Sequence, residues 1–97
     1  MAYDPGAIDS TLAAAVGDEP GLIAELRLAF AQSAHAALAS MREAEGAGEW
    51  SAAALRLEGL AASFGAVRLM GLATEAARGD ASDPGALRRL GRAVARL

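Results

Sequence analysis

Residues 49–78 read EWSAAALRLEGLAASFGAVRLMGLATEAAR and contain two helix-forming runs with a glycine between them. The first run extends from near Glu49 to Phe64, and the second covers Val67–Arg78. Gly65 is predicted to end the first run, because glycine readily adopts the left-handed conformation that closes a helix. The β-branched residues within 49–78 are few and never alternate with polar ones. This stretch therefore predicts two helices and no strand.

Two more helices are predicted on the N-terminal side of this stretch. A short one covers Ala7–Val16 and stops at Gly17. A long one runs from about Pro20 to Glu45 and is ended by Gly46 and Gly48, with Asp18 as its N-cap. The apolar residues of the long helix recur at helical spacings, as expected of a side that faces a core: Leu22, Leu26, Phe30, Leu38 and Met41.

The C-terminal side holds a turn and one more helix. Residues 79–85 (GDASDPG) have the composition of a turn, and the last helix runs from about Pro84 to Leu97. Because all connections are short, we expect neighbouring helices to be antiparallel. The sequence therefore predicts one all-α domain over residues 1–97, an up-down four-helix bundle with the short N-terminal helix as a lid.

The composition excludes several classes of site. The chain has 97 residues, 54% hydrophobic and 22% charged, which is typical of a globular domain. It has no cysteine and a single histidine, His35, so disulfides, thiolate zinc sites and multi-histidine metal sites are ruled out. No constellation of catalytic side chains and no phosphate-binding glycine loop is present, so we expect neither an enzyme nor a cofactor.

The charge is unevenly divided along the chain. Residues 1–48 hold seven acids and two arginines, and residues 49–97 hold five acids and seven arginines. The net charge of −3 argues against nonspecific binding to nucleic acid or to an anionic membrane. Without an apolar run of about 18 residues or a secretory signal, the expected location is the cytoplasm. The heavy use of alanine and arginine is interpreted as the mark of a GC-rich genome.

The helix predicted from Glu49 to Phe64 is apolar on two sides. At about 100° per residue, one side is predicted to face the core. This core side consists of Ala54, Leu57, Leu60, Ala61 and Phe64. The opposite side carries Ala52, Leu55, Gly59 and Ala62, with Arg56 and Glu58 flanking it.

Two interpretations of the second apolar side are open, burial against another helix and contact with a partner. The partner interpretation is favoured, because five short helices cannot easily surround one of their number. Gly59 supports a close approach to its backbone, since an interior glycine costs a helix about 1 kcal/mol relative to alanine. The approaching group is either a partner or a neighbouring helix.

The segment ALRLEGLAASFGA, residues 54–66, resembles the histidine-containing phosphotransfer (HPt) family. That family has the pattern A-H-x-L-K-G-x-A-x-x-[LF]-G-A. Six positions after the first alanine match it: Leu57, Gly59, Ala61, Phe64, Gly65 and Ala66. The flanking helices are similar as well, so the resemblance extends over nearly the whole chain and implies the same helical bundle.

Two departures from the family pattern concern its chemistry. The phosphoacceptor position holds Leu55, which has no nucleophile, and the usual lysine position holds Glu58. The resemblance therefore implies a bacterial pseudo-HPt module that docks a response-regulator receiver domain or a histidine kinase in a two-component phosphorelay without accepting phosphate. The predicted partner-binding residues are Ala52, Leu55, Arg56, Glu58, Gly59, Ala62 and Ser63.

Two alternatives stay open. One is an active phosphotransfer protein that uses His35 or another residue, although a surface histidine without a role is the simpler interpretation of His35. The other is a homodimer in which two copies bury Leu55 against each other.

Trp50, Ser63 and the arginines of the last helix each have a structural and a functional interpretation. Trp50 is interpreted as a staple at a helix start, with partner contact as the minority interpretation. Ser63 has no base within reach in the sequence pattern and is not expected to be a nucleophile. Arg88, Arg92 and Arg96, with Arg89 beside them, form a stripe that is usually a solvated face. The alternative is that it attracts an acidic receiver or kinase domain, or the acidic N-terminal half of another copy.

Overall fold

Five helices make up most of the chain in the computed structural model, which describes residues 5–17 and 19–97. They are α1 Pro5–Val16, α2 Pro20–Glu43, α3 Ala47–Ser63, α4 Val67–Arg78 and α5 Pro84–Ala95. The described residues contain no strand, so the all-α prediction is confirmed for them. None of the described helices combines the length and the apolar character needed to cross a membrane.

Glycines and an aspartate define several helix ends. Gly17 and Gly65 adopt φ angles of 84° and 73°, the left-handed region in which glycine avoids a Cβ clash. Asp83 caps α5, its carboxylate accepting a hydrogen bond from the Gly85 N–H (3.1 Å). The N-cap of α2 is Glu19, without a side-chain bond, so the predicted cap is wrong by one position. Asp18 itself lies outside the described residues.

The link between α2 and α3 differs from the prediction. The sequence predicts a link of three residues that begins after Glu45, whereas the observed link spans residues 44–46. Ala44 already adopts an extended conformation with ψ 132°, which ends α2 at Glu43. Gly48, predicted to help end α2, instead lies in the first turn of α3, since Gly46 alone provides the extended turn.

The helices contact one another in a ring. α2 packs against α3, α3 against α4, α4 against α5, and α5 against α2. In the part of the chain that the structure describes, no Cα atoms lie within 8 Å of each other across the diagonal pairs α2–α4 and α3–α5, and α1 comes this close to α2 alone. The chain therefore forms a helical bundle. α1 lies beside the first half of α2, and its buried Ile8 and Leu12 belong to the same apolar core as residues of the other four helices.

The core lies inside this ring. The indole N–H of Trp50, at the start of α3, donates a hydrogen bond to the Ala76 carbonyl near the end of α4 (2.7 Å). The rings of Phe30 and Phe64 stack with centroids 4.6 Å apart and join the first half of α2 to the end of α3. Both contacts connect opposite ends of successive helices, as antiparallel packing requires. Outside the ring, Arg27 of α2 forms an ion pair with Asp9 of α1 (2.6 Å).

Alanine supplies much of the packing. The buried alanines let the helices approach closely and come from α2, α3, α4, α5 and the α3–α4 link: Ala34, Ala37, Ala53, Ala54, Ala61, Ala66, Ala73, Ala76, Ala86 and Ala93. The alanine content, attributed above to base composition alone, thus has a structural role. Leu22 belongs to the predicted apolar side of α2 but is 37% exposed. It lies in the first turn of α2, which is seven residues longer than α3.

Candidate docking surface

One side of α3 is buried and the opposite side is open to solvent. Ala54, Leu57 and Ala61 have no exposed surface. Leu55 is 52% exposed although it is a large apolar residue. The exposed apolar residues form one line that we call the α3 ridge: Ala52, Leu55, Gly59 and Ala62. The prediction that α3 is apolar on two sides is therefore confirmed, and the second apolar side is exposed. Burial of this side against another helix of the described chain is excluded. Leu60 and Phe64, predicted for the core, are half-buried at its edge.

The backbone at Gly59 is open. A Cβ at this position would meet no described atom within 4 Å, so no neighbouring helix of the chain requires a glycine there. Of the two explanations considered for Gly59, packing against a neighbouring helix is wrong. Close approach by a partner stays a prediction.

Replacing Gly59 with alanine is expected to stabilise the fold by about 1 kcal/mol, because alanine is the better helix former and the site has room for its methyl group. Urea unfolding followed by circular dichroism measures this change. Gly71→Ala is the matched control, since Gly71 is also exposed within a helix with nothing near a Cβ. We expect equal stabilisation from both, but weaker partner binding only from Gly59→Ala. Unchanged binding in both variants would contradict a close approach at Gly59.

The two charged residues beside the ridge lie on opposite flanks. Glu58 is half-buried, and Thr74 Oγ1 of α4 lies 2.5 Å from its Oε2 and 2.9 Å from the Met70 carbonyl oxygen. The Thr74 hydroxyl thus donates towards the carboxylate and holds Glu58 against α4. Arg56 is two residues away, or about 200° around the helix, so it lies on the flank towards α2. The sequence pattern did not reveal the partner of Glu58.

Small residues of α2 border the ridge on this second flank. The stacking of Phe30 on Phe64 defines the side of α2 that faces α3. About the axis of α2, Ser40 and Ala36 lie about 80° and 120° from Phe30, both in the same direction of rotation. Both residues are exposed. The Ser40 hydroxyl donates to the Ala36 carbonyl oxygen (3.2 Å), so its hydrogen-bonding capacity is partly used within α2. Together with the α3 ridge, these residues form a shallow surface of small side chains around Leu55.

His35 lies on another side of α2. It is exposed and shares a helix face with Arg42, seven residues further on. A Cβ at Gly91 of α5 would lie 3.2 Å from the Arg42 guanidinium, so this face borders α5. The structure therefore does not bring His35 next to Leu55.

The remaining candidate residues are one buried side chain, Trp50, and several exposed ones. Trp50 is 1% exposed, so the minority interpretation as a partner contact is wrong and its role lies in the core. Ser63 is the exposed last residue of α3. Among the described residues, no cluster of three metal-ligating side chains occurs. Arg88, Arg92 and Arg96 are exposed along α5.

Comparison of the chain with protein-family models, with curated proteins and with solved structures finds no match.

Proposed function

We propose that the chain is a pseudo-HPt docking module that binds a receiver domain or a histidine kinase through the α3 ridge and accepts no phosphate. The observation that carries the proposal is the position of Leu55. This residue occupies the phosphoacceptor position of the HPt-like segment and is 52% exposed in the middle of an open helix face. A phosphoacceptor must be reachable by a partner. Leu55 is reachable in this way but has no nucleophilic atom that could accept phosphate.

The burial of the HPt-like positions supports the same interpretation. Leu57 and Ala61 are fully buried, and Ala66 is 3% exposed. Gly59 lies one turn after Leu55 on the open side. Leu57, Ala61 and Ala66 therefore build the core, whereas Gly59 leaves the backbone open beside the acceptor position. Stability alone does not require a glycine there, because alanine is the better helix former.

The side chains around Leu55 are unsuited to phosphoryl transfer. Leucine has no lone pair with which to attack phosphorus. Glu58, three residues further on, is held in place by Thr74. Its carboxylate would repel a doubly charged phosphoryl group by about 1–2 kcal/mol at a distance of about 6–7 Å in a water-like dielectric. Both features favour binding over catalysis.

Leu55→Arg is expected to weaken partner binding at least tenfold, because the apolar contact is replaced by a charge that must be desolvated. Titration of the labelled chain with receiver and kinase domains, followed by NMR, measures the affinity. We expect shifts in the wild-type chain at the α3 ridge, Ala36 and Ser40, without transfer of phosphate.

The matched control for this experiment is Leu28→Arg. Leu28 is 61% exposed, and it points away from α3 because it lies about 200° around α2 from Phe30. Its replacement is expected to leave the affinity within about twofold of wild type. Equal effects of the two substitutions would contradict docking at the α3 ridge. A concentration-dependent mass that only Leu55→Arg abolishes would instead favour the homodimer through Leu55.

A further inference from the structure

The groove between α4 and α5 contains two depressions of opposite charge. The basic depression is lined by the arginines Arg68, Arg89, Arg92 and Arg96. The acidic depression is lined by the carboxylates Glu75, Asp80 and Asp83, and it shares Arg89 with the basic one. Since Arg89 lies on both linings, the depressions are neighbours in one continuous groove.

The antiparallel course of the two helices places the depressions at opposite ends of the groove. The basic depression combines the start of α4, at Arg68, with the end of α5, at Arg96. The acidic depression combines the end of α4 with the α4–α5 turn and the N-cap of α5, at Asp83. The groove is therefore acidic at one end and basic at the other.

The basic end lacks an internal counter-charge at two of its residues. Arg92 and Arg96 are both exposed, and neither has an ion-pair partner among the described residues. Guanidinium groups crowded together repel one another, and they bind carboxylates well through their planar set of donors. An acidic surface placed against these arginines would relieve this repulsion.

The chain itself carries such a surface in the other half of the same groove. A two-fold axis through the middle of the groove would bring the acidic end of one copy onto the basic end of the other, twice over. This is the self-complementary arrangement that a symmetric dimer requires. We propose that a second copy of this chain binds antiparallel across the α4–α5 groove.

This dimer surface is separate from the α3 ridge. α5 packs against α4 and α2, and in the described chain none of its Cα atoms lies within 8 Å of a Cα atom of α3. A dimer formed through the groove would leave both α3 ridges open to solvent. It also differs from a dimer through Leu55, because that contact would cover the ridge.

The dimer is expected to be weak and salt-sensitive. Helices of twelve residues are about 18 Å long, so the patch is smaller than the roughly 800 Å² per partner of a standard interface. We expect a dissociation constant on the order of 100 µM at low salt. At about 1 M salt, where the screening length is about 3 Å, the dimer is expected to dissociate.

Charge reversal tests the arrangement directly. The first variant is Arg92→Glu with Arg96→Glu, and the second is Glu75→Arg with Asp80→Arg. Each variant alone would place like charges opposite each other in a dimer, so each is expected to sediment as a monomer of 9.8 kDa. A mixture of the two restores opposite charges at both ends, and the dimer is expected to return. Asp83 is left unchanged because it caps α5.

Arg56→Glu and Leu55→Arg are the controls, since both change only the α3 side and are expected to leave the dimer intact. Circular dichroism checks that every variant is folded. A wild-type mass that stays at the monomer value up to about ten times the expected dissociation constant at low salt overturns the proposal. So does a mixture of the two reversed variants that stays monomeric while both are folded.

Discussion

The Trp50→Ala variant is expected to lose about 4 kcal/mol of unfolding free energy, a large part of the total for a small domain. Trp50 is 1% exposed, and its indole N–H is bonded to the Ala76 carbonyl oxygen. The substitution removes the largest buried side chain of the described core and the hydrogen bond that joins α3 to α4. For a domain of this size, the melting temperature should fall by about 15–30 °C.

Trp50→Phe separates the two contributions. It keeps most of the buried ring and removes the N–H donor, while the Gly79 N–H still donates to the Ala76 carbonyl oxygen (3.2 Å). We expect this variant to lose about 1–2 kcal/mol in urea unfolding. If Trp50→Ala unfolded at nearly the wild-type urea concentration, the assignment of Trp50 to the core would be wrong.

The double variant Leu55→His with Glu58→Lys is expected to gain phosphate from a phosphorylated receiver domain, whereas the wild-type chain takes up none. The imidazole would supply the missing nucleophile on the open face of α3, and the lysine would replace repulsion of the phosphoryl group by attraction. Retention of radioactive phosphate on the chain under alkaline conditions measures the transfer, because phosphohistidine survives there.

Two controls identify the source of any phosphate gained. Glu58→Lys alone has no nucleophile at position 55 and is expected to stay unlabelled. Leu28→His presents an imidazole at an equally exposed leucine on α2 and is also expected to stay unlabelled. Labelling of Leu28→His would show that any exposed histidine suffices. A folded double variant without label would contradict the proposed HPt-like role of the α3 ridge.

Much of the fold follows from local sequence rules. Gly17 and Gly65 were predicted to end helices, and both adopt the left-handed conformation that makes glycine effective there. The error at the α2–α3 link arises because Ala44 has a high helix propensity but lies where the chain must turn back. Propensity gives no information on where a neighbouring helix requires that turn.

The candidate site was predictable only in part. The rotation of about 100° per residue placed Leu55 opposite Leu57, which sufficed to predict the exposed ridge. The bond between Glu58 and Thr74 joins residues 16 positions apart on two helices. It depends on how far α3 and α4 slide along each other, which no pattern within one helix specifies. The alignment of charges along the α4–α5 groove was missed for the same reason.

The position of α1 at the edge of the ring has a consequence for how the chain opens. In the described chain, the backbone of α1 approaches α2 alone, while each of the other four helices has at least two neighbours. Detaching α1 removes Ile8 and Leu12 from the core and breaks the Arg27–Asp9 ion pair, but it leaves the backbone packing of the other four helices in place. At about 1.5–3 kcal/mol for each large apolar side chain, this event requires less free energy than global unfolding. We therefore expect α1 to open before the rest of the chain, so that its amide protons exchange with solvent while those of α3 and α4 stay protected.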